Sequence, residues 1–412
     1  MIRTQLEPVP FARAPTQFLM RRTLLAGAAP WLFSLVLLGA AVRLYHVDGL
    51  SLWVDEGLTV LAARLPWTAV LGFGQTYSVH PPLYFVLVKL VSAIAPEDRA
   101  GRLVSVIAGT LTVPMLYALA KHLAGARAGL LAALVLAVSP LHVWYSQEAR
   151  PYALVVFFVA LSYLALTIVA RAGRKRWSVM YGVAVVLALY TDESALFALA
   201  PQVFLLAILA RGSPHQARLL GEAAILAVLA YLPWTSHLLA AAGPTSTQAQ
   251  FALSSDKILS SIRSLGGLSA DQAVFMPGLL PPWLQWPGAD LILAAGVAIP
   301  TLVGGAVLAR HAPSVLPTVV CLIIGTVAVC TLVSLVYPSY VERTMLAAVL
   351  GWSLLVAVPA ALRGAILPRW LARLNLASVL VLSTMTLIAL DISAYKQEWG
   401  CTHSARPLKN NR

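Results

Sequence analysis

Eleven stretches of this chain are apolar candidates for helices that cross a lipid bilayer, although the fifth and sixth are short, and this restricts its possible folds more than any other feature. A membrane-spanning helix needs about 20 mostly apolar residues. Hydrophobic residues make up 59% of the 412 residues and charged residues only 11%, whereas an ordinary soluble domain has about 25% charged residues. These features predict an all-α fold, a polytopic transmembrane helical bundle of about eleven spans. The stretches cover residues 24–46, 103–120, 129–147, 151–170, 177–191, 195–210, 219–239, 289–309, 314–336, 344–362 and 374–394.

The same composition excludes several other classes of protein. A disordered chain has low hydrophobicity, and the strands of an outer-membrane barrel alternate apolar with polar residues instead of running apolar for twenty. Three cysteines are too few for a disulfide scaffold. We therefore predict one transmembrane domain over residues 1–412, with outer loops at 47–102 and 240–288 and a polar tail at 396–412.

The stretch 82–95 is also apolar, but its fourteen residues are typical of an interfacial or re-entrant helix. If it does not cross, sixteen of the 29 Lys and Arg residues lie on the inner side, including the basic cluster 171–176. Fourteen of the sixteen acids then lie at or beyond the outer face. If it crossed, the basic cluster would be outside, against the positive-inside rule. The charges therefore predict that 82–95 lies flat on the outer surface.

The N-terminal region contains Arg21 and Arg22 directly before the first apolar stretch, which resembles a twin-arginine signal. The apolar stretch is, however, longer than the hydrophobic region of a signal peptide. We expect an uncleaved first span whose N-terminus is held on the cytoplasmic side by Arg13, Arg21 and Arg22.

Asp55 and Glu56 form an acid pair at the outer end of the first span. Adjacent carboxylates at a membrane surface suit a general base, a pair of metal ligands or an acceptor for sugar hydroxyls. The alternative is a solvated loop end in which Asp55 caps a helix.

His80 stands before two prolines and Tyr84 at the start of the flat helix. A helix that begins with proline has exposed amides and a dipole that favour an anion, so His80 could bind phosphate or shuttle a proton there. The alternative is an ordinary interfacial helix in which Tyr84 is a headgroup anchor.

A third cluster at 139–152 places Glu148 and Arg150 among the aromatic residues Tyr145 and Tyr152. Aromatic faces suit sugar C–H groups, and Glu and Arg suit hydroxyls and phosphate oxygens. An aromatic belt with a local ion pair is the alternative.

Two further clusters close outer ends of spans. Asp192 and Glu193 form a second acid pair, for which a plain loop is an equally good interpretation. Arg343 follows Tyr340 and Glu342 at the start of the tenth span, where a base is unfavourable for the helix dipole and requires an anionic partner. Glu342 or a lipid phosphate could be that partner. The sequence has no glycine-rich nucleotide loop before a helix, so we expect no nucleotide cofactor.

The order and spacing of these clusters resemble the GT-C superfamily of membrane glycosyltransferases, in particular its protein-mannosyltransferase and aminoarabinose-transferase-like branch (glycosyltransferase family 39/83-like). The resemblance covers about residues 30–200 and returns around 337–350. Its most specific parts are Trp53-x-Asp55-Glu56, HPPLYF at 80–85 and SPLHVWYSQEARPYAL at 139–154.

The resemblance implies transfer of a hexosyl or pentosyl group from a polyprenyl-phosphate donor to a lipid, glycan or protein acceptor on the outer face of a bacterial inner (plasma) membrane. It implies catalytic roles for Asp55, as the base, and for Glu56, and a divalent cation held by both is an open alternative. It places the donor phosphate at His80, Arg150 and Arg343. The residues that it places in the sugar or acceptor pocket are Tyr84, Tyr145, Glu148, Tyr152, Asp192, Glu193 and Tyr340.

Two other functions remain as alternatives. A transporter or flippase of an anionic lipid or glycan would carry ionisable residues within its spans, whereas the acids here collect at the outer ends, with Glu222 as the exception. A non-catalytic assembly subunit is the other alternative. The expected partners are the lipid-linked donor, the acceptor and membrane lipids, with no nucleic acid.

Overall fold

Regular secondary structure is entirely helical in the residues that the computed structural model describes, which are 25–47, 52, 54–72, 80–241, 254, 257, 289–337, 339–362 and 369–392. Several predictions fall elsewhere. Trp53, the polar tail 396–412 and almost all of the second outer loop 240–288 lie outside the described residues, as do the N-terminal arginines.

Seventeen α-helices follow one another along the described residues, and no strand occurs among them. The helices are α1 (Leu25–Leu44), α2 (Val54–Arg64), α3 (Trp67–Leu71), α4 (Leu83–Val91), α5 (Glu97–Ala124), α6 (Ala126–Ala137), α7 (Pro140–Ser146), α8 (Tyr152–Ala172), α9 (Arg176–Thr191), α10 (Ala195–Leu199), α11 (Gln202–Gly212), α12 (Pro214–Ala241), α13 (Ala289–His311), α14 (Leu316–Val320), α15 (Thr326–Ser334), α16 (Ala348–Ala361) and α17 (Arg369–Ile392). A π-helical turn joins α14 to α15, and a 3₁₀ turn at Glu342–Met345 precedes α16.

Six spans in the described residues are long and apolar enough to cross a membrane, and a seventh is obtained if the bent pair α6 and α7 is one span. Helices α9 and α16 are apolar but shorter. The predicted polytopic helical bundle is therefore confirmed, while the count of eleven stays a prediction. Helix α8 is the central one, because 89% of its most apolar 18 residues are buried within the bundle. Only 17% of the corresponding residues of α1 are buried.

The predicted flat segment contains α4, a helix of nine residues. At 1.5 Å per residue it is about 14 Å long, which is half the thickness of the hydrocarbon core of a bilayer. Its inner face buries Tyr84, Phe85 and Val88 against the bundle. A helix of this length fits the prediction that 82–95 does not cross.

The predicted span 129–147 is broken into α6 and α7, whose axes differ by 62°. The break has a local cause, since Pro140 at the start of α7 has no N–H to continue the α6 hydrogen bonds and Ser139 before it is extended. Because of the bend, α7 leads directly into the loop that carries Glu148 and Arg150.

Candidate active site

The structure brings together side chains from five separate places in the chain, all at helix ends. Asp55 lies in the first turn of α2, and His80 lies just before α4. Arg150 follows α7, Asp192 caps the end of α9, and Arg343 lies in the 3₁₀ turn. These are the five clusters that the sequence singled out.

Arg150 is the centre of the site and is almost fully buried. Its Nη2 lies 2.6 Å from Nε2 of His80, 3.2 Å from the hydroxyl of Tyr152 and 3.6 Å from Oδ2 of Asp55. The carboxylate of Asp55 is 32% exposed. The site therefore combines a buried cation with a carboxylate that is partly exposed.

A second arginine, Arg343, lies near the same tyrosine ring as Arg150, that of Tyr152. The guanidinium carbons of Arg150 and Arg343 lie 5.6 Å and 5.7 Å from the centre of this ring. Tyr145 packs against Tyr152 edge to face, with the ring centres 5.6 Å apart. A tyrosine ring attracts cations through its π face, so Tyr152 holds two like charges close to one another. Such a pair suits a phosphate group.

The contact between Arg150 and His80 determines where the imidazole proton lies. Arginine can only donate, so Nε2 of His80 accepts and the ring proton is placed on Nδ1. That nitrogen lies 2.8 Å from Oδ2 of Asp192 and 3.7 Å from Oε1 of Glu193. His80 therefore links the buried arginine to the acid pair.

The two members of the acid pair have opposite electrostatic environments. Burial raises the pKa of Glu193, and the adjacent carboxylate of Asp192 raises it further, so this pKa lies well above its ordinary value. Burial also raises the pKa of Asp192, but the interaction with His80 and hydrogen bonds from His80 and Ser194 outweigh burial, so that pKa is lowered. The backbone N–H of Ser194 donates to Oδ1 of Asp192 at 2.9 Å. Of the two acids, Asp192 therefore has the lower pKa and ionises first as the pH rises.

We predict opposite pH dependences for substitutions of these two acids. A raised pKa makes the folded protein bind more protons than the unfolded chain, so wild-type stability falls as pH rises from about 4 to the raised pKa. Glu193→Gln removes this loss. The melting temperature of the variant minus that of the wild type should therefore increase as the pH rises through this range. Asp192 contributes stability above its ordinary pKa, so Asp192→Asn should be less stable than the wild type at neutral pH. Thermal unfolding from pH 4 to 9 measures both, and a pH-independent Glu193→Gln difference would contradict the assignment.

His80, Asp192 and Glu193 are also the described residues that could hold a metal ion, because one ligand atom from each lies within 4.8 Å of the others. A metal would need the lone pair of Nδ1, so the proton there would have to leave and Arg150 would have to withdraw from Nε2. The alternative metal site at Asp55 and Glu56 stays a prediction; in this structure the Glu56 carboxylate accepts hydrogen bonds from Arg102 and from the backbone of Ala149.

Glu56 lies behind the site, completely buried. Arg102 of α5 donates to both of its oxygens at 3.1 Å and 2.9 Å, and the backbone N–H of Ala149 donates to Oε1 at 2.8 Å. Glu56 therefore joins α2, α5 and the loop before Arg150. The predicted catalytic role has no support in this geometry, and holding the loop explains the residue better. Arg102 was not singled out in the sequence, where it was one of many outer-side bases.

Tyr84 also lies behind the site. Its hydroxyl contacts the Gly101 carbonyl at 2.9 Å and the Ser105 hydroxyl at 3.0 Å, and its ring is fully buried. The Ser105 hydroxyl in turn donates to the Arg150 carbonyl at 2.9 Å. Because its polar end is used within the protein, the prediction that Tyr84 lines a pocket is corrected to a supporting role.

The two remaining predicted pocket residues, Glu148 and Tyr340, are both buried. Glu148 lies in the loop that carries Arg150. Tyr340 packs in a small apolar cluster with Phe197, Cys330 and Met345. Their roles toward a ligand stay predictions.

Comparison with known proteins gives one family match and several matches of fold. The family described as dolichyl-phosphate-mannose-protein mannosyltransferase matches residues 79–237, a segment that contains His80, Arg150 and the acid pair. No curated protein sequence matches the chain.

Solved structures match over most of the chain at low sequence identity. ArnT from Cupriavidus metallidurans bound to undecaprenyl phosphate superposes with a TM-score of 0.56 and 14% identity, covering 90% of this chain and 77% of that one. The same protein in the apo state gives 0.54 and 14%, covering 90% and 78%. The oligosaccharyltransferase of Archaeoglobus fulgidus tethered with an acceptor peptide gives 0.50 and 13%, covering 89% of this chain and 55% of that chain, so this chain spans about half its length. The family match and the fold confirm the predicted resemblance to the GT-C membrane glycosyltransferases and a multi-pass membrane protein.

Proposed function

We propose that this GT-C membrane glycosyltransferase moves a hexosyl or pentosyl group from a polyprenyl-phosphate donor to a lipid, glycan or protein acceptor. The observation that carries the proposal is the pair of guanidinium groups, Arg150 and Arg343, that lie 5.6 Å and 5.7 Å from the centre of the Tyr152 ring, with Asp55 beside Arg150. A lipid-linked donor needs its phosphate to be bound at a helix end near the bilayer surface, and the site lies at such ends. The match to a structure bound to undecaprenyl phosphate supports the same class of donor.

In the proposed reaction Asp55 acts as the base. Its carboxylate accepts the proton of an acceptor hydroxyl or amine as that atom attacks the anomeric carbon. The bond between the anomeric carbon and the phosphate oxygen breaks, and the polyprenyl phosphate leaves with the bonding electron pair. Arg150 and Arg343 stabilise the charge on the leaving phosphate. A single displacement inverts the configuration of the anomeric carbon.

Ligand-induced stabilisation of the detergent-purified protein tests the donor site. Undecaprenyl phosphate at a hundred times its dissociation constant should stabilise the wild type by about 2.7 kcal/mol. The same stabilisation is expected for Asp55→Asn, while Arg343→Ala should bind at least about tenfold more weakly, because a hydrogen bond to a charged group contributes about 1.5–3 kcal/mol.

Two controls make this experiment specific. Arg218→Ala removes an exposed arginine that pairs with Glu222 at 2.7 Å, and it should bind like the wild type. A plain anionic phospholipid should give a smaller shift than undecaprenyl phosphate. Equal shifts for both lipids would remove the support for a polyprenyl-phosphate donor and would favour transport of an anionic lipid. No shift for either lipid would contradict the proposed donor site.

We further propose that the protein lies in a bacterial inner membrane with its N-terminus cytoplasmic and its site on the outer face. The exposed residues Asp98 and Lys175 are separated by α5, α6 with α7, and α8, which is three crossings if the bent pair is one span. Cysteines introduced one at a time at these positions, in a Cys401→Ser background that keeps the buried Cys321 and Cys330, should therefore react with an impermeant maleimide from opposite sides, Asp98→Cys from outside. Labelling of both from the same side would refute this topology.

A further inference from the structure

Arg43, near the end of α1, is one of the largest fully buried side chains in the described residues. All five of its N–H groups are used. Nη1 donates to the carbonyls of Gly39 at 2.9 Å and Ala137 at 3.1 Å, and Nη2 donates to the Leu136 carbonyl at 3.2 Å. The remaining two donors contact α7.

The carbonyls of Leu136 and Ala137 are at the end of α6, where the chain bends. A helix end leaves its last carbonyls without partners inside the helix, and the helix dipole places partial negative charge there. The guanidinium of Arg43 satisfies these carbonyls and balances that charge. The bend between α6 and α7 is therefore stabilised by a cation from a third helix.

The other contacts of Arg43 hold α7 itself. Nη2 lies 2.8 Å from Nδ1 of His142, and Nε lies 3.3 Å from the Ser146 hydroxyl. Helix α5 closes the space behind them, because a Cβ at Gly109 would lie 2.1 Å from Oγ of Ser146 and 3.1 Å from Nε of Arg43. Glycine is therefore required at this point of α5.

The next residue, Gln147, continues the connection to α1. Its side-chain amide donates to the carbonyls of Val42 and Arg43 at 3.3 Å each and of Tyr45 at 2.9 Å. Arg150 follows three residues later. Arg150 therefore lies in the loop that follows α7, and the hydrogen bonds of Arg43 and Gln147 connect α7 to the end of α1.

We propose that Arg43 is a positioning residue for the site, which acts by fixing α7 and thereby the place of Arg150 beside the Tyr152 ring that Arg343 also contacts. The part of this inference that concerns ligand binding rests on the proposed donor phosphate site. Arg43 itself is buried among neutral groups of α1, α6 and α7 and does not contact Arg150 or Asp55 through any of its five donors.

Hydrogen–deuterium exchange of the detergent-purified protein tests the mechanical part without any ligand. Arg43→Gln should raise the exchange rates of backbone amides in residues 140–150 at least tenfold, with α8 unchanged. The matched control is Arg171→Gln, because Arg171 also donates to carbonyls at a helix end, those of His122 and Leu123 at the far end of α5. It should raise exchange only near residues 121–124.

Undecaprenyl phosphate binding tests the consequence for the site. Arg43→Gln should weaken binding at least tenfold, and the Arg43→Gln/Arg150→Gln double variant should bind no more weakly than Arg150→Gln alone, because both changes remove the same contact. If Arg43→Gln does not fold, Arg43→Lys keeps the charge but not the five-donor geometry, and it should show the same local increase in exchange.

The outcomes separate this inference from the proposed function. A folded Arg43 variant with wild-type exchange over 140–150 overturns the positioning role whatever the ligand does, and so does an additive loss of binding in the double variant. A wild-type protein that does not bind undecaprenyl phosphate contradicts the donor site. The exchange measurement still decides whether Arg43 holds α7 in place.

Discussion

Asp55→Asn is expected to reduce glycosyl transfer by about 10²- to 10⁴-fold, the range that a general base contributes, and to leave undecaprenyl phosphate binding unchanged. The amide cannot accept the proton of the acceptor, whereas the cations that bind the phosphate stay in place. Asp55 is the member of the first acid pair that an acceptor can reach, since its side chain is 32% exposed and that of Glu56 is not exposed at all.

The measurement is the rate at which a sugar is released from a polyprenyl-phosphate sugar, first to water and then to candidate acceptors. Water can take the place of the natural acceptor, so the assay does not depend on knowing what that acceptor is. Asp98→Asn, an exposed acid of α5 away from the site, is the matched control and should keep the wild-type rate. An Asp55→Asn rate above about a tenth of the wild-type rate would exclude Asp55 as the base.

The meeting of the five clusters at one end of the bundle could be predicted from the sequence. The positive-inside rule places the ends of successive spans on alternating sides; in the predicted span map four clusters adjoin outer ends, and the His80 cluster lies in the first outer loop. Residues as far apart as His80 and Asp192, whose side chains lie 2.8 Å apart, were therefore expected on the same face. Their contact was not predicted, because the rule gives the side of the membrane and not the neighbours of a helix.

The roles of Asp55 and Glu56 could not be separated in the sequence for a similar reason. Neighbouring residues of an α-helix differ by about 100° in direction, so only one of the two can face the site once α2 has packed. Which one it is depends on the rotation of α2 against α5, and the partner that decides it is Arg102. A single sequence contains no signal that distinguishes this buried arginine from the exposed arginines around it.

The break in the predicted span 129–147 differs from this case, because the sequence contains the residue that causes it. The prediction of a single span gave too little weight to that residue, Pro140. Pro140 lies inside an apolar stretch of suitable length, and hydropathy alone joins both sides of it into one span. The proline interrupts the helix, and the carbonyls that it releases need a donor. Arg43 provides that donor from another helix, which is a tertiary contact that periodicity does not reveal.

Removing either partner of the Glu56–Arg102 pair should have the largest effect on stability. Breaking a buried ion pair by deleting one member leaves an uncompensated buried charge, which costs about 3–5 kcal/mol. We expect losses of this size in the free energy of unfolding for Glu56→Ala and for Arg102→Ala, measured by denaturant titration in detergent micelles. The double variant Glu56→Leu/Arg102→Leu should lose less than the sum of the two, because neither charge is left alone.

The exposed pair of Arg64 and Glu97 is the matched control for this prediction. Their side chains are 2.7 Å apart but 65% and 45% exposed, and exposed pairs contribute at most about 1 kcal/mol. Glu97→Ala should therefore change the free energy of unfolding by less than that amount. The outcome also decides between the two roles considered for Glu56. A Glu56→Gln protein of wild-type stability whose transfer rate falls as far as that of Asp55→Asn would show that Glu56 takes part in the reaction. A large loss of stability, with donor binding weakened in proportion, would show that it holds the loop of Arg150 in place.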